Sequence, residues 1–321
     1  MLERRIDKLA ETCSHTFELP TPANEDGFLV RISPPGNLSE HLIALTSLLT
    51  TLGRDSECDI PLQDGYCSRQ HAVIEVRDGR HWLVDRGSRN GTQVNGENVT
   101  EQELHVGDQI RFGGYLFKYL TSGNPELRHF REIYQLMTSD SLTHVANRRF
   151  FEDCFTREHS RCSRYGRPMG LLLLDFDHFK QVNDQHGHAA GDACLKELCG
   201  RVRSAIRQHD LFARLGGDEF AVVLGETRPQ ECRLVAERIR QRIEADPFGA
   251  TAGLSLPMTV SIGIACTDGV QLRAVDELLT DADARLYAAK EGGRNCICGP
   301  GVPAEVIPRT RDLPAMHLPA D

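Results

Sequence analysis

Two short acidic runs hold the residues best suited to chemistry. Leu171–Leu174 leads directly into Asp175-Phe176-Asp177, and Gly216-Gly217-Asp218-Glu219 separates two apolar segments. A carboxylate at the end of a buried strand stands where open α/β sheets bind ligands. Clustered acids repel one another and are tolerated together around a metal or a shared proton. Phosphoryl chemistry on a nucleotide needs such a site, with two Mg²⁺ ions about 4 Å apart clamping the attacking and leaving oxygens. A plainer reading stays open, in which Asp218-Glu219 are polar turn residues and Asp175 caps the following helix.

A second set lies upstream: Gly53-Arg54, Ser68-Arg69-Gln70-His71 and Asn90-Gly91-Thr92. Two arginines and a hydroxyl suit a phosphate dianion, because charge-assisted bonds to phosphate are strong and Arg can bind in a fork. An Asn amide can grip a peptide backbone. Singly, Arg54 reads as a surface charge and Asn90-Gly91 as a hairpin turn.

The elements that must position these residues fall into two patterns. Short apolar or alternating runs at Phe28–Ile32, His71–Val76, His81–Val84, Gln109–Phe112 and Tyr115–Leu120 are punctuated by Asp64-Gly65, Asp78-Gly79, Asn95-Gly96 and Gly113-Gly114. That pattern predicts an all-β sandwich or barrel, whose end loops can converge on a binding surface. From Asp140 onward, helical and strand patterns alternate, which predicts an α/β domain. Helices are expected at Phe150–Tyr165, Asp192–Arg207, Pro229–Glu244 and Ala274–Lys290. Strands are expected at Met169–Asp175, Leu211–Leu215, Phe220–Leu224 and Met258–Ala265, with Gly216–Glu219 as a hairpin turn.

Pro125–Ser139 joins the two. Phe130, Ile133, Tyr134 and Met137 follow helical spacing, so the helix packs on its own domain or pairs with a second protomer. The expected organisation is a mobile arm at 1–27 with one helical turn in Leu2–Leu9, a β domain at 28–120, a linker helix at 121–139, an α/β domain at 140–298 and a disordered tail at 299–321. The tail carries five prolines beyond Gly299 and no periodicity.

Composition narrows the function classes. The 321 residues allow about two domains. Charged residues at 26% and apolar residues at 40% exclude a collagen or a mostly disordered chain. The balance of 37 basic and 46 acidic residues offers no excess of positive charge for nucleic acid or an anionic membrane. The 11 scattered cysteines suggest reduced thiols. No signal peptide or membrane-spanning run is visible, so the expected location is cytoplasmic, without membrane insertion.

In order and spacing, LGRDSECDIPL, CSRQHAVI, LVDRGSRNGTQVNG and HVGDQIRFG resemble a forkhead-associated (FHA) domain. The resemblance implies a β-sandwich that binds phosphothreonine peptides. It would give Arg54, Ser68 and Arg69 the phosphate and Asn90 the peptide backbone, with His71 bracing loops and Gly53 permitting a turn.

Gly216-Gly217-Asp218-Glu219-Phe220 spells the signature of the GGDEF diguanylate cyclases. Asp140-Ser141-Leu142-Thr143, Asn147-Arg148-Arg149, LLLLDFDHFKQVNDQHGHAAGD and ADARLYAAKEGGRN match that domain's other segments. The resemblance implies a central sheet wrapped by helices, related to nucleotidyl cyclases and polymerase palms. It implies a Mg²⁺-dependent homodimer, with Mn²⁺ as an alternative ion, that joins two GTP into cyclic di-GMP and releases two pyrophosphates. Asp175, the Phe176 carbonyl and Glu219 would bind metal, and Asp218 would activate the 3′-hydroxyl. Asn183 and Asp192 match guanine-reading positions. Phe179, Lys180, His188, Gly216, Gly217, Lys290 and Arg294 complete the expected substrate-binding set.

Arg207-Gln208-His209-Asp210 matches the family's product-binding RxxD pattern, with Arg238 as a second contact. His144-Val145 replaces the family's usual Gly-Leu. Neither His186-Gly187-His188 nor Cys296-Ile297-Cys298 makes a complete transition-metal ligand set. The expected function is a product-inhibited cyclase regulated by a phosphothreonine reader. The rival readings are a non-catalytic sensor of GTP or cyclic di-GMP and an FHA-based phosphoprotein scaffold.

Overall fold

The computed structural model describes residues 27–34, 41–249, 253–269 and 273–300. The expected arm, its helical turn and the expected tail lie outside these residues, apart from Gly27, Gly299 and Pro300. The chain divides into two compact units, Met1–Cys154 and Phe155–Asp321.

In the first unit the described strands are β1 (Gly27–Ser33), β2 (Leu42–Leu45), β3 (Leu49–Gly53), β4 (Ile60–Pro61), β5 (Ala72–Arg77), β6 (Arg80–Asp85), β7 (Thr92–Val94), β8 (Glu97–Val99), β9 (Glu101–Glu103), β10 (Gln109–Phe112) and β11 (Tyr115–Thr121). They form two sheets, ordered β2-β1-β11-β10-β7-β8 and β4-β3-β5-β6-β9. Leu29, Ile110 and Phe112 of the first sheet share one buried cluster with Leu52, Ile74 and Leu83 of the second. This is the all-β architecture that the turn signals predict.

Helix α1 (Pro125–Thr138) is started by Asn124, whose side chain accepts the Glu126 N–H at 2.7 Å. Its apolar spacing does not make one uniform face. Leu127, Phe130 and Tyr134 pack on Phe28, Val30, Leu42 and Leu120 of the sandwich. Ile133, Leu136 and Met137 stay 39%, 80% and 40% exposed. The sandwich takes up only the turns of the helix that lie over it.

The chain then turns sharply. Asp140 Oδ1 accepts from Thr143 N at 2.9 Å and Thr143 Oγ1 at 2.6 Å. His144 follows in the left-handed region at φ 57, at the position where the family resembled has glycine. That conformation costs a side-chain-bearing residue about 1 kcal/mol. Glycine would lose about 0.5 kcal/mol through its freer unfolded state. His144→Gly is therefore expected to raise stability by about 0.5 kcal/mol in chemical denaturation. A loss above about 1 kcal/mol would show that the imidazole itself holds the turn.

The remaining elements are α2 (Arg148–Tyr165), β12 (Met169–Phe176), α3 (Phe179–His186), α4 (His188–Arg203), β13 (Leu211–Gly216), β14 (Glu219–Gly225), α5 (Pro229–Glu244), β15 (Val260–Thr267), α6 (Val275–Glu291) and β16 (Ile297–Cys298). The division between the two compact units falls inside α2. The sheet order is β13-β14-β12-β15-β16. Strand β12 is central, antiparallel to both β14 and β15, and buried throughout its eight residues. This explains its unbroken apolar sequence, since both faces are covered. Gly263 of β15 lets α6 lie directly on the sheet: a Cβ there would meet Ala282 O at 2.1 Å and Leu286 N at 2.4 Å. That close packing brings the C-terminal end of α6, with Lys290, to the end of β12.

Among the described residues, no helix is long and apolar enough to cross a membrane. The ten described cysteines form no disulfide.

Candidate functional site

The register of β12 against β14 brings the acidic runs together. Asp175 stands directly opposite Glu219, and Phe176 N donates to Asp218 O at 3.3 Å across the turn. Opposed side chains in such a pair lie about 5 Å apart at Cβ, and like charges there are destabilising unless a cation offsets them. Lys290 Nζ supplies one such charge, 2.7 Å from Asp175 Oδ2. Burial pushes the Asp175 carboxyl up to about 6, while the bond from Lys290 pulls it back and Asp218 adds to the rise.

The turn itself is open and braced. A Cβ on Gly216 or Gly217 would meet nothing within 4 Å, and Gly217 needs its left-handed φ of 53. Arg214 Nε and one terminal nitrogen donate to Gly217 O at 2.9 and 2.8 Å. Glu219 is exposed and Asp218 half-buried, so both can reach a ligand.

Helix α3 begins beside this strand end. Its N-cap His178 is left-handed, at φ 59, and makes no side-chain cap bond. First-turn N–H groups left without a cap favour an anion. Lys180 is exposed there, whereas the Phe179 ring is buried and stacked on Phe176 at 5.8 Å. Phe179 therefore has only backbone to offer a ligand. Asn183 follows within α3, half-buried against Gly191 of α4, where a Cβ would meet Asn183 Oδ1 at 2.0 Å. Asp192 and His188 are exposed in the first turns of α4. Arg294 is exposed in the loop after α6.

Arg207, Asp210 and Arg238 also meet. Asp210 is 4% exposed; its Oδ2 accepts Arg207 N at 2.8 Å, while its Oδ1 is buried without a hydrogen-bond partner. Burial raises the Asp210 carboxyl, and His209, Arg207 and Arg238 oppose the rise. Arg238 Nε donates to Ala205 O at 2.7 Å, which holds it beside the same loop.

At the end of the β-sandwich three loops are tied to one another. Arg54 N donates to Ser68 O at 2.8 Å and Asp55 N to Arg69 O at 3.0 Å. Ser68 N donates to His71 Nδ1 at 3.1 Å, and His71 Nε2 lies 3.2 Å from Gly91 O. An accepting Nδ1 leaves Nε2 as the protonated nitrogen, so buried His71 joins two loops. Ser68 Oγ accepts Arg89 N at 3.0 Å, and Asn90 Nδ2 donates to Tyr66 O at 2.7 Å. Arg54, Arg69 and Asn90 are exposed and Ser68 half-buried. Gly53 is required for close approach rather than for a turn: a Cβ there would meet Arg69 O at 2.2 Å.

Sequence reasoning missed Arg214, Asp177 and Tyr66. The Arg at two residues before the double glycine was a usable signal. The ties of Tyr66 and Asp177 are made across the fold and leave none.

Residues 137–296 match the family model described as "Diguanylate cyclase, GGDEF domain", and residues 50–113 match "FHA domain". Diguanylate cyclase DosC of Escherichia coli K12 is 33% identical over 214 residues, covering 65% of this chain and 45% of that protein. Response regulator PleD of Caulobacter vibrioides is 37% identical over 166 residues, covering 51% of this chain and 36% of its own. The chain thus spans less than half the length of these curated relatives. A crystal structure of the coiled coil and GGDEF domain of DgcB from Caulobacter crescentus, in complex with c-di-GMP, superposes with a TM-score of 0.50. It is 30% identical and covers 54% of this chain and 91% of that one. The matched residues are those that carry the paired carboxylates and the tied loops, and the chain carries an FHA domain followed by a GGDEF domain.

Proposed function

We propose that the chain is a diguanylate cyclase that condenses two GTP into cyclic di-GMP and two pyrophosphates, working as a homodimer. The observation that carries this reading is the facing pair Asp175–Glu219, with Asp218 in the adjoining turn and Lys290 beside it.

The donor set suits Mg²⁺. Among the described residues, no three His, Cys, Asp or Glu side chains form a group able to hold a metal ion. Mg²⁺ does not ask for one, since it takes one or two carboxylates and completes its shell with water and substrate phosphates. Asp175, the Phe176 carbonyl and Glu219 would hold it. Bound Mg²⁺ would neutralise charge on the triphosphate and the leaving pyrophosphate.

The chain's own residues do the rest. The exposed Lys180, with the first-turn N–H groups of α3, Lys290 and Arg294, holds phosphate oxygens. Asn183 and Asp192 read the donors and acceptor on the guanine edge, which adenine does not mirror. Asp218 takes or orients the proton of the 3′-hydroxyl that attacks the α-phosphorus of the facing GTP. Product would bind at Arg207, Asp210 and Arg238, where a guanidinium can stack on and hydrogen-bond to guanine and meet phosphate. A phosphothreonine peptide at Arg54, Ser68, Arg69 and Asn90 would regulate the enzyme if it binds active and inactive dimer arrangements unequally.

The test is product analysis of nucleotide-stripped protein given GTP and Mg²⁺. Cyclic di-GMP and pyrophosphate are expected, and Arg207→Ala is expected to run on to product levels at least about tenfold higher before stalling. If no product forms in either protein, even with the FHA domain occupied by a phosphopeptide, a non-catalytic nucleotide sensor becomes the better reading.

A further inference from the structure

We propose that Asp177 is a positioning residue that fixes the phosphate-binding loop, with Arg294, against the metal-binding end of β12. The inference rests on the reading of the site as a GTP site.

Asp177 lies two residues beyond Asp175 and is 3% exposed. Its carboxylate does not face the acidic pair as a free ligand. Oδ1 accepts from Ser261 Oγ at 2.7 Å, and Oδ2 accepts from Thr259 Oγ1 at 2.7 Å and from Asn295 N at 3.0 Å. Its own N–H donates to Thr259 O at 2.9 Å. Three donors converge on one buried carboxylate, which fixes its place.

The third donor is the informative one. Asn295 follows Arg294, and both are left-handed, at φ 48 and 62. Two successive side-chain-bearing residues in that region persist only when their surroundings hold them there. The hold on Asn295 comes from three directions. Its N–H goes to Asp177, its Oδ1 accepts from Arg240 at 2.9 Å, and its Nδ2 donates to Glu244 at 2.8 Å. Arg240 is itself 6% exposed and bonded to Glu237 and Glu244. The loop is thus clamped between α5 and the end of β12. Lys290, four residues before Arg294, pairs with Asp175 from the same segment.

An amide weakens this clamp. The Asn oxygen in the place of Oδ2 can still accept from Thr259 and Asn295, but without the carboxylate's charge, and the Ser261 hydroxyl must turn to accept from the amide nitrogen. The loop's tie to β12 would loosen, and with it the fixed distance of Arg294 and Lys290 from Asp175. Asn183 and Asp192 lie on α3 and α4, outside the clamp. The effect should therefore fall on recognition of phosphate and spare recognition of guanine.

The experiment measures equilibrium binding of a non-hydrolysable GTP analogue and of guanosine, with Mg²⁺, to wild type and to Asp177→Asn. Affinity for the analogue is expected to fall about tenfold in the variant. Affinity for guanosine is expected to stay within about twofold. A parallel loss of both would mean a merely structural role, and no loss of either would mean that the clamp is irrelevant; each overturns the proposal. If Asp177→Asn fails to fold, Thr259→Val removes one neutral donor and carries the same test. It is expected to cost about threefold for the analogue alone. Wild type that binds neither ligand would refute the GTP reading itself, an outcome separate from any difference between the variants.

Discussion

Asp218→Asn is expected to lower cyclic di-GMP formation at least about 10³-fold while leaving the fold intact, since loss of a positioned base or proton acceptor costs about 10²–10⁴. The substitution is nearly isosteric, and the side chain sits half-buried in an open turn. What the turn needs structurally comes from elsewhere. Gly217 supplies the left-handed conformation, Arg214 holds the Gly217 carbonyl, and the contact of Asp218 with β12 is made through its backbone oxygen. Removing the charge also removes a like-charge neighbour of buried Asp175. The melting temperature should therefore not fall, and binding of GTP should persist, because the loss lies in activating the attacking hydroxyl. The measurement is product formation by chromatography beside a thermal melt. An activity within about tenfold of wild type, in a folded protein, would remove Asp218 from the chemistry.

The sequence made the central strand, the hairpin and the long helices visible because their signals are local. Leu171–Leu174 is an unbroken apolar run, as a strand covered on both faces must be, and Pro229 and Glu231 mark the start of α5. Helix α3 was not legible. It is eight residues long, and its N-cap is a left-handed His with no capping side chain. Helix α4 begins at His188 and ends at Arg203, four residues earlier at each end than the Asp192–Arg207 expectation. Gly191 in its first turn hides the start, and beyond Arg203 the chain leaves the helix for the loop in which Asp210 accepts Arg207 N. Among the short strands of the sandwich, β10 was legible from its alternation, whereas β2, β3, β4, β7, β8 and β9 are set by their neighbours in the sheet. The same division holds within the site. Asp175, Asp218 and Glu219 declared themselves by motif. Asp177 stood beside them, yet its partners Ser261 and Asn295 are 84 and 118 residues away in sequence. No local pattern could show that one acid of the Asp-Phe-Asp run faces Glu219 and Lys290 while the other accepts from Asn295.

Arg54→Ala is expected to weaken binding of a phosphothreonine peptide about 100-fold, a loss of about 2.7 kcal/mol, because one forked charge-assisted contact to a dianion is removed. The scaffold around Arg54 is held by main-chain bonds that the substitution keeps, from Arg54 N to Ser68 O and from Leu62 N to Gly53 O. Its guanidinium is exposed and, among the described residues, makes no hydrogen bond or ion pair. Truncation should therefore leave stability within about 0.5 kcal/mol of wild type. Arg54→Lys keeps the charge but loses the planar fork, so an intermediate loss of about tenfold is expected. The unphosphorylated peptide sets the baseline, and it should bind wild type and both variants equally weakly. Titration of the peptide pair against the three proteins separates the alternatives. A phosphopeptide affinity that stays within about threefold in Arg54→Ala would mean that the tied loops hold a partner through backbone and amide contacts, with Asn90 and not Arg54 at the centre of the contact. A graded loss confined to the phosphorylated peptide would instead assign the phosphate to Arg54. The rigid ties from Ser68 through His71 to Gly91 then act to keep the phosphate loop and the Asn90 loop at one fixed spacing.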